Sequence, residues 1–147
     1  MPPKEKIKID DIVETIQEEK QNLKFLYKNK FDKTFPKLVK RVKDKKIVLY
    51  GAGIFLETIN KHFDLSELNI IGIADRKYSK DSNETFLGYK TYNPDELKNL
   101  NPDYVLISTK FYINIFEDLY YNLLKDTKIK IKPLVKKSFW TLLKEIF

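Results

Sequence analysis

The chain of 147 residues contains no cysteine. No disulfide framework, thiol nucleophile or Cys-built zinc or iron–sulfur site is available to it. It has a single histidine, His62, so a His cluster cannot hold a metal and a Ser–His–acid triad has no spare ring. Glycine is scarce, with four in the whole chain. No apolar run approaches the roughly 18 residues of a membrane span. The N-terminal stretch MPPKEKIKIDD lacks the apolar core of a signal peptide, so a cytoplasmic protein is expected. Hydrophobic residues at 42% and charged residues at 33% place the chain with globular rather than disordered proteins. The length allows one domain, or one domain with an extension.

The net charge of +7 is unevenly placed. Residues 1–46 hold 14 Lys/Arg against 8 Asp/Glu, and the remainder holds 14 against 13. A basic segment can serve nucleic acid or an anionic surface. Here the lysines alternate with acids, and no Arg cluster or interleaved aromatic platform is present. A solvated helical surface is the expectation, and nucleic acid is not an expected partner.

Residues 1–45 read as a helical extension. Asp10 or Asp11 can cap a helix, with Glu14 three residues after Asp11 as in a capping box. Ile9, Ile12, Ile16, Leu23 and Tyr27 then share one stripe with Leu26 beside it, and burial of that stripe is predicted. A second helical pattern runs through Phe31, Phe35, Leu38, Val39 and Val42, with Pro36 either separating the two or lying in the second helix's first turn. The apolar face must pack on the main domain, on a partner enzyme or in a homo-oligomer.

From Lys46 the pattern changes to alternating strands and helices over residues 46–147. Strands are predicted at 47–50, 70–74, 89–92, 104–108 and 129–131, and helices at 54–63, 94–97 and 111–126. Residues 76–88 read as a polar loop. Pro133 is expected to break the chain, and a last helix from about Lys137 would turn Phe139, Leu142, Leu143 and Ile146 inward. Alternation of this kind implies α/β architecture: a Rossmann-like parallel sheet of about five strands in the order 3-2-1-4-5.

Two of the four glycines sit between the first strand and its helix, in Gly51-Ala52-Gly53-Ile54-Phe55-Leu56. A dinucleotide fingerprint reads G-x-G-x-x-G, so the third glycine is replaced by Leu56, which would press the helix outward. The first glycine permits the tight turn. The second lets a phosphate approach the helix N-terminus. The alternative is a strand–helix turn that merely needs glycine.

Asp75 ends the second strand 24 residues after Gly51, the place of a ribose-binding carboxylate; otherwise it neutralises Arg76 or Lys77. Arg76 suits a 2′-phosphate or diphosphate, or is a solvated charge. Ser108 and Thr109 close the strand expected beside the first, where their hydroxyls either hold a phosphate or sugar or cap the next helix. Tyr121 and Lys125 match a Tyr-x-x-x-Lys pair 13 residues after Ser108, but Tyr121 lies about 160° from the helix's apolar stripe and faces solvent. His62 is expected to sit against its helix C-terminus.

The runs KKIVLYGAGIFLETI, IIGIADRK, LGYKTYNPDEL and PDYVLIST together resemble the small Rossmann-like nucleotide-sugar-binding domain of bacterial polysaccharide-biosynthesis proteins, over about residues 46–135. Such domains accompany sugar-nucleotide epimerase/dehydratases, sugar acyltransferases and some sugar methyltransferases. The family's Gly turn maps onto Gly51 and Gly53, and its acid after strand two onto Asp75. The resemblance implies a nucleotide or nucleotide-sugar binding module of surface-polysaccharide biosynthesis, with NAD(P) or a nucleotide sugar as the bound molecule. An NAD(P)-dependent oxidoreductase or epimerase fragment and a helical interaction protein with a vestigial Rossmann unit are the alternatives.

Overall fold

Ile47–Tyr50 form the central strand β1, an apolar run buried at every position. Alternate side chains serve opposite faces: Ile47 and Leu49 enter one core, Val48 and Tyr50 the other. A strand buried on both faces needs helices on both, which is the α/β solution. In the computed structural model, which describes residues 9–138, the chain runs α1 (Ile9–Lys28), α2 (Phe31–Arg41), β1, α3 (Ile54–His62), β2 (Ile70–Ala74), β3 (Thr85–Phe86), β4 (Tyr89–Tyr92), α4 (Leu97–Leu100), β5 (Tyr104–Ile107), α5 (Ile113–Asp118) and β6 (Lys130–Pro133). The predicted C-terminal helix lies outside the described residues.

The sheet has six strands in the order β3-β4-β2-β1-β5-β6. This replaces the expected five-strand order. The difference arises in the segment read as a polar loop, where Thr85–Phe86 turns back through Gly88 and pairs antiparallel with β4. All other neighbours are parallel, with Leu49 in register with Ile73 on one side and Leu106 on the other. Gly72 in β2 is required by packing, because a Cβ there would run into the ring of Tyr92.

Three local expectations are corrected. Pro36 lies in the middle of α2, and the break between α1 and α2 falls at Asn29–Lys30, where Lys30 takes a left-handed conformation. Pro36 is exposed, so the carbonyl one turn back can turn to water. Pro133 belongs to β6 on the sheet's edge, where a missing N–H costs no ladder bond on the open side. The helix expected over 111–126 is shorter: α5 passes into a π-helical turn at Leu119–Leu123.

The extension is part of the same core. Leu26, Phe31, Phe35 and Val42 are buried with Leu49, Leu56 and Ile59. Phe63 gathers Phe31 and Phe35 edge-on at 4.8 and 6.3 Å. Only the second half of α1 shares in this. Ile12 and Ile16 are each 47% exposed, and Ile9, Val13 and Tyr27 are exposed too, which corrects the expectation of a buried stripe.

Candidate functional site

The C-terminal ends of β1, β2 and β5 carry the predicted site residues, so the sheet brings together what the sequence scatters over 59 positions. Gly51 leaves β1 at φ +122°, a conformation open to glycine. A Cβ there would stand 2.6 Å from Cγ2 of Thr109 and 3.3 Å from Oγ of Ser108. The turn is therefore held against the end of β5. The Ser108 hydroxyl donates to the Gly51 carbonyl at 2.8 Å from a buried position. Thr109 donates to the carbonyl of Phe111 at 2.9 Å. Neither caps α5, whose N-cap position is Tyr112. Both hydroxyls act on the turn and loop themselves.

Asp75 does reach the Gly51 turn. Its Oδ2 accepts from the Ala52 N–H at 2.9 Å, and its Oδ1 accepts from the Lys77 N–H at 3.1 Å. The ammonium of Lys77 donates to the Ala52 carbonyl. Ala52 is thus gripped at its N–H by a carboxylate and at its C=O by an ammonium. A carboxylate has about four acceptor sites, so Asp75 keeps capacity for further donors. By sequence Lys77 is only a counter-charge to Asp75. Nothing in its sequence position shows that its side chain folds back over the turn.

Beyond Ala52 the turn is open. Gly53 is the N-cap of α3, with no side-chain cap, and beyond its chain neighbours nothing lies within 4 Å of the position of a Cβ there. The first-turn N–H groups of a helix have no partner within the helix. Ile54 is exposed, whereas Phe55 is buried and meets Phe25 of α1 edge-on at 5.8 Å. Leu56, in place of the third glycine, is fully buried in the core between α3 and the sheet. Lys110, after β5, places its Nζ 4.9 Å from the Phe25 ring centre. Phe25 and Lys110 were absent from the predicted site, because a residue of α1 approaches this edge only through tertiary packing.

Arg76 pairs with α5 rather than with Asp75. Its guanidinium donates to Asp118 on α5 at 2.7 Å. That bond keeps Arg76 firmly charged, and Asp118 is held below the usual carboxylate value, first by Asn122 and then by Arg76. Burial pushes the nearby Tyr50 phenol up. His62 binds Glu19 of α1 at 3.0 Å, so it serves the helix–helix seam as well as its own helix end. Tyr121 is 64% exposed and so faces solvent, as expected from the sequence. Among the described residues no group of three or more His, Asp or Glu could hold a metal, and no helix is long and apolar enough to cross a membrane.

A family model described as C2185-like, N-terminal matches residues 43–131, from just after α2 to the start of β6. No curated protein and no solved structure matches the chain.

Proposed function

We propose that this chain, which belongs to the C2185-like, N-terminal family, is a nucleotide or nucleotide-sugar binding module built on a Rossmann-like sheet. The observation that carries the reading is the open, uncapped start of α3 at Gly53, beside a carboxylate already anchored to the adjacent amide. A phosphate would take the first-turn N–H groups, which combine free donors with the positive end of the helix. A ribose would lie toward Asp75, whose unused lone pairs accept from a diol. Lys77 offsets the negative charge of Asp75 at the turn, so an anion is not simply repelled. The place in surface-polysaccharide biosynthesis rests on the resemblance of the Gly turn, the acid after β2 and the Gly88–Leu97 run.

The test is calorimetric titration with a UDP-sugar and, separately, with NAD. We expect saturable binding of one of them, weakened at least tenfold by Gly53→Val with an unchanged far-UV spectrum. Equal affinity in the folded variant would remove the turn as the site.

A further inference from the structure

The helix after β5 does not end regularly. α5 passes into the π turn Leu119–Leu123, in which the Leu124 N–H donates to the Leu119 carbonyl at 2.8 Å. Turns of this kind are rare and recur at functional sites. Here the turn carries two adjacent tyrosines. Tyr120 and Tyr121 are 56% and 64% exposed, and their rings meet edge-on at 4.9 Å. Tyr120 is also stacked on Phe116, with 5.7 Å between ring centres and 10° between planes, which steadies its ring.

Both tyrosines line a cavity of about 400 Å³ with Lys125, Asp126, Ile129 and Ile131. The Tyr121/Lys125 pair singled out by its spacing thus shares a site, though not one at the Gly51 turn. The cavity lies at the start of β6, where Lys130 stands beside Tyr104, the first residue of β5. That is the amino edge of the sheet, whereas the Gly51 turn follows the opposite edge. The chain beyond β6 packs on the other face: Leu134 and Val135 join the core under α1 and α2, and the Ser138 N–H donates to Asn29 between those helices. Leu124 and Ile129, which floor the cavity, belong to the opposite core.

We infer that this cavity is a saccharide site that takes a neutral pyranose unit, separate from the Gly53 turn. A pyranose has an apolar C–H face that can lie on an aromatic ring, and an edge of hydroxyls that both donate and accept. Tyrosines supply such a platform as large, stiff contact area with little side-chain freedom to lose. Lys125 offers donors and Asp126 acceptors, and among the described residues neither side chain has a hydrogen-bond or ion-pair partner. The charged lining is one cation and one anion, so it has no net attraction for either sign. A wholly apolar ligand would cover both charges without replacing their water. The volume is within the roughly 300–1,000 Å³ of small-molecule sites.

The experiment is saturation-transfer NMR and titration of the full chain with the methyl glycosides of glucose, galactose and N-acetylglucosamine, with cyclohexanol as the apolar control. We expect saturable binding of at least one sugar and none of cyclohexanol. Tyr120→Ala/Tyr121→Ala alters exposed residues and should keep the far-UV spectrum while weakening that sugar at least threefold. Asp126→Asn supplies a second variant, because Asn tolerates the left-handed backbone at φ +65° and removes only the charge. It should weaken the sugar as well, and Gly53→Val should leave its affinity unchanged. Binding of no sugar, or a loss below threefold in the folded double variant, overturns the site. Cyclohexanol binding as tightly as the sugars overturns the saccharide assignment. Loss in Gly53→Val with the double variant unaffected also overturns it, and supports the turn as the place where the sugar binds.

Discussion

Oδ2 of Asp75 accepts the Ala52 amide at 2.9 Å, tying the end of β2 to the turn after β1. The carboxylate thus shapes the turn. A hydrogen bond to a charged group contributes about 1.5–3 kcal/mol. Asp75→Ala should lower stability by about that amount in urea titration. It should also weaken a ribonucleotide more than its 2′-deoxy counterpart, read by calorimetry. Equal losses for both ligands would restrict Asp75 to the turn.

Gly51 and Gly53 should respond unequally to an added methyl. Gly51→Ala meets a left-handed backbone and the Thr109 methyl at 2.6 Å. It should cost at least about 1–3 kcal/mol. Gly53→Ala enters open space at an extended backbone and should cost about 1 kcal/mol or less, the usual penalty for Ala at an N-cap. Chemical denaturation of the two variants checks the order. A more damaging Gly53→Ala would contradict the geometry.

Two carboxylates link stability to acid pH. Glu19 is held below its ordinary value, first by the His62 hydrogen bond and then by Lys61, and Asp118 first by Asn122 and then by Arg76. A depressed carboxylate adds stability that is present above its unfolded value, about 4, and lost as pH falls through the lower folded value. Asp118 is more than one third exposed, so solvent screening keeps its share to about 0–1 kcal/mol. Melting temperatures between pH 6 and pH 2.5 should fall. The fall should be shallower in Glu19→Gln and Asp118→Asn, whose curves would match wild type if the pairs were absent in solution.

The two halves of α1 should differ in tolerance. Leu26 is fully buried, and Leu26→Ala should cost about 2–5 kcal/mol. Ile12→Lys/Ile16→Lys alters residues that are half exposed in the single chain, and should change monomer stability by no more than about 1 kcal/mol. Sedimentation alongside denaturation tests this, because a large loss together with a change of mass would mean that the stripe is covered by another chain.

Much of the sheet was legible because its strands are short apolar runs bounded by turn residues. Ile47–Tyr50, Ile70–Ala74 and Tyr89–Tyr92 lie where periodicity places them. The turn at Gly51 was legible for the same local reason, since few other residues permit its backbone at φ +122°. Local pattern failed where pairing or packing decided. Thr85–Phe86 becomes a strand because Lys90 and Tyr89 stand opposite it, and two residues carry no period of their own. The Ile12–Ile16 stripe has the spacing of a buried face, yet α3 covers only the second half of α1.

The amino-acid sequence by itself determined the α/β alternation, the tight turn and the acid that follows β2, each set by chain-local sterics and spacing. Only the tertiary structure decided what those residues bind within the protein. It sends Asp75 and Lys77 to the Ala52 peptide, Arg76 to Asp118, and Ser108 to Gly51. Hydrogen-bond partners 23 to 57 residues apart are chosen by which strands become neighbours, and strand order is a property of the whole sheet.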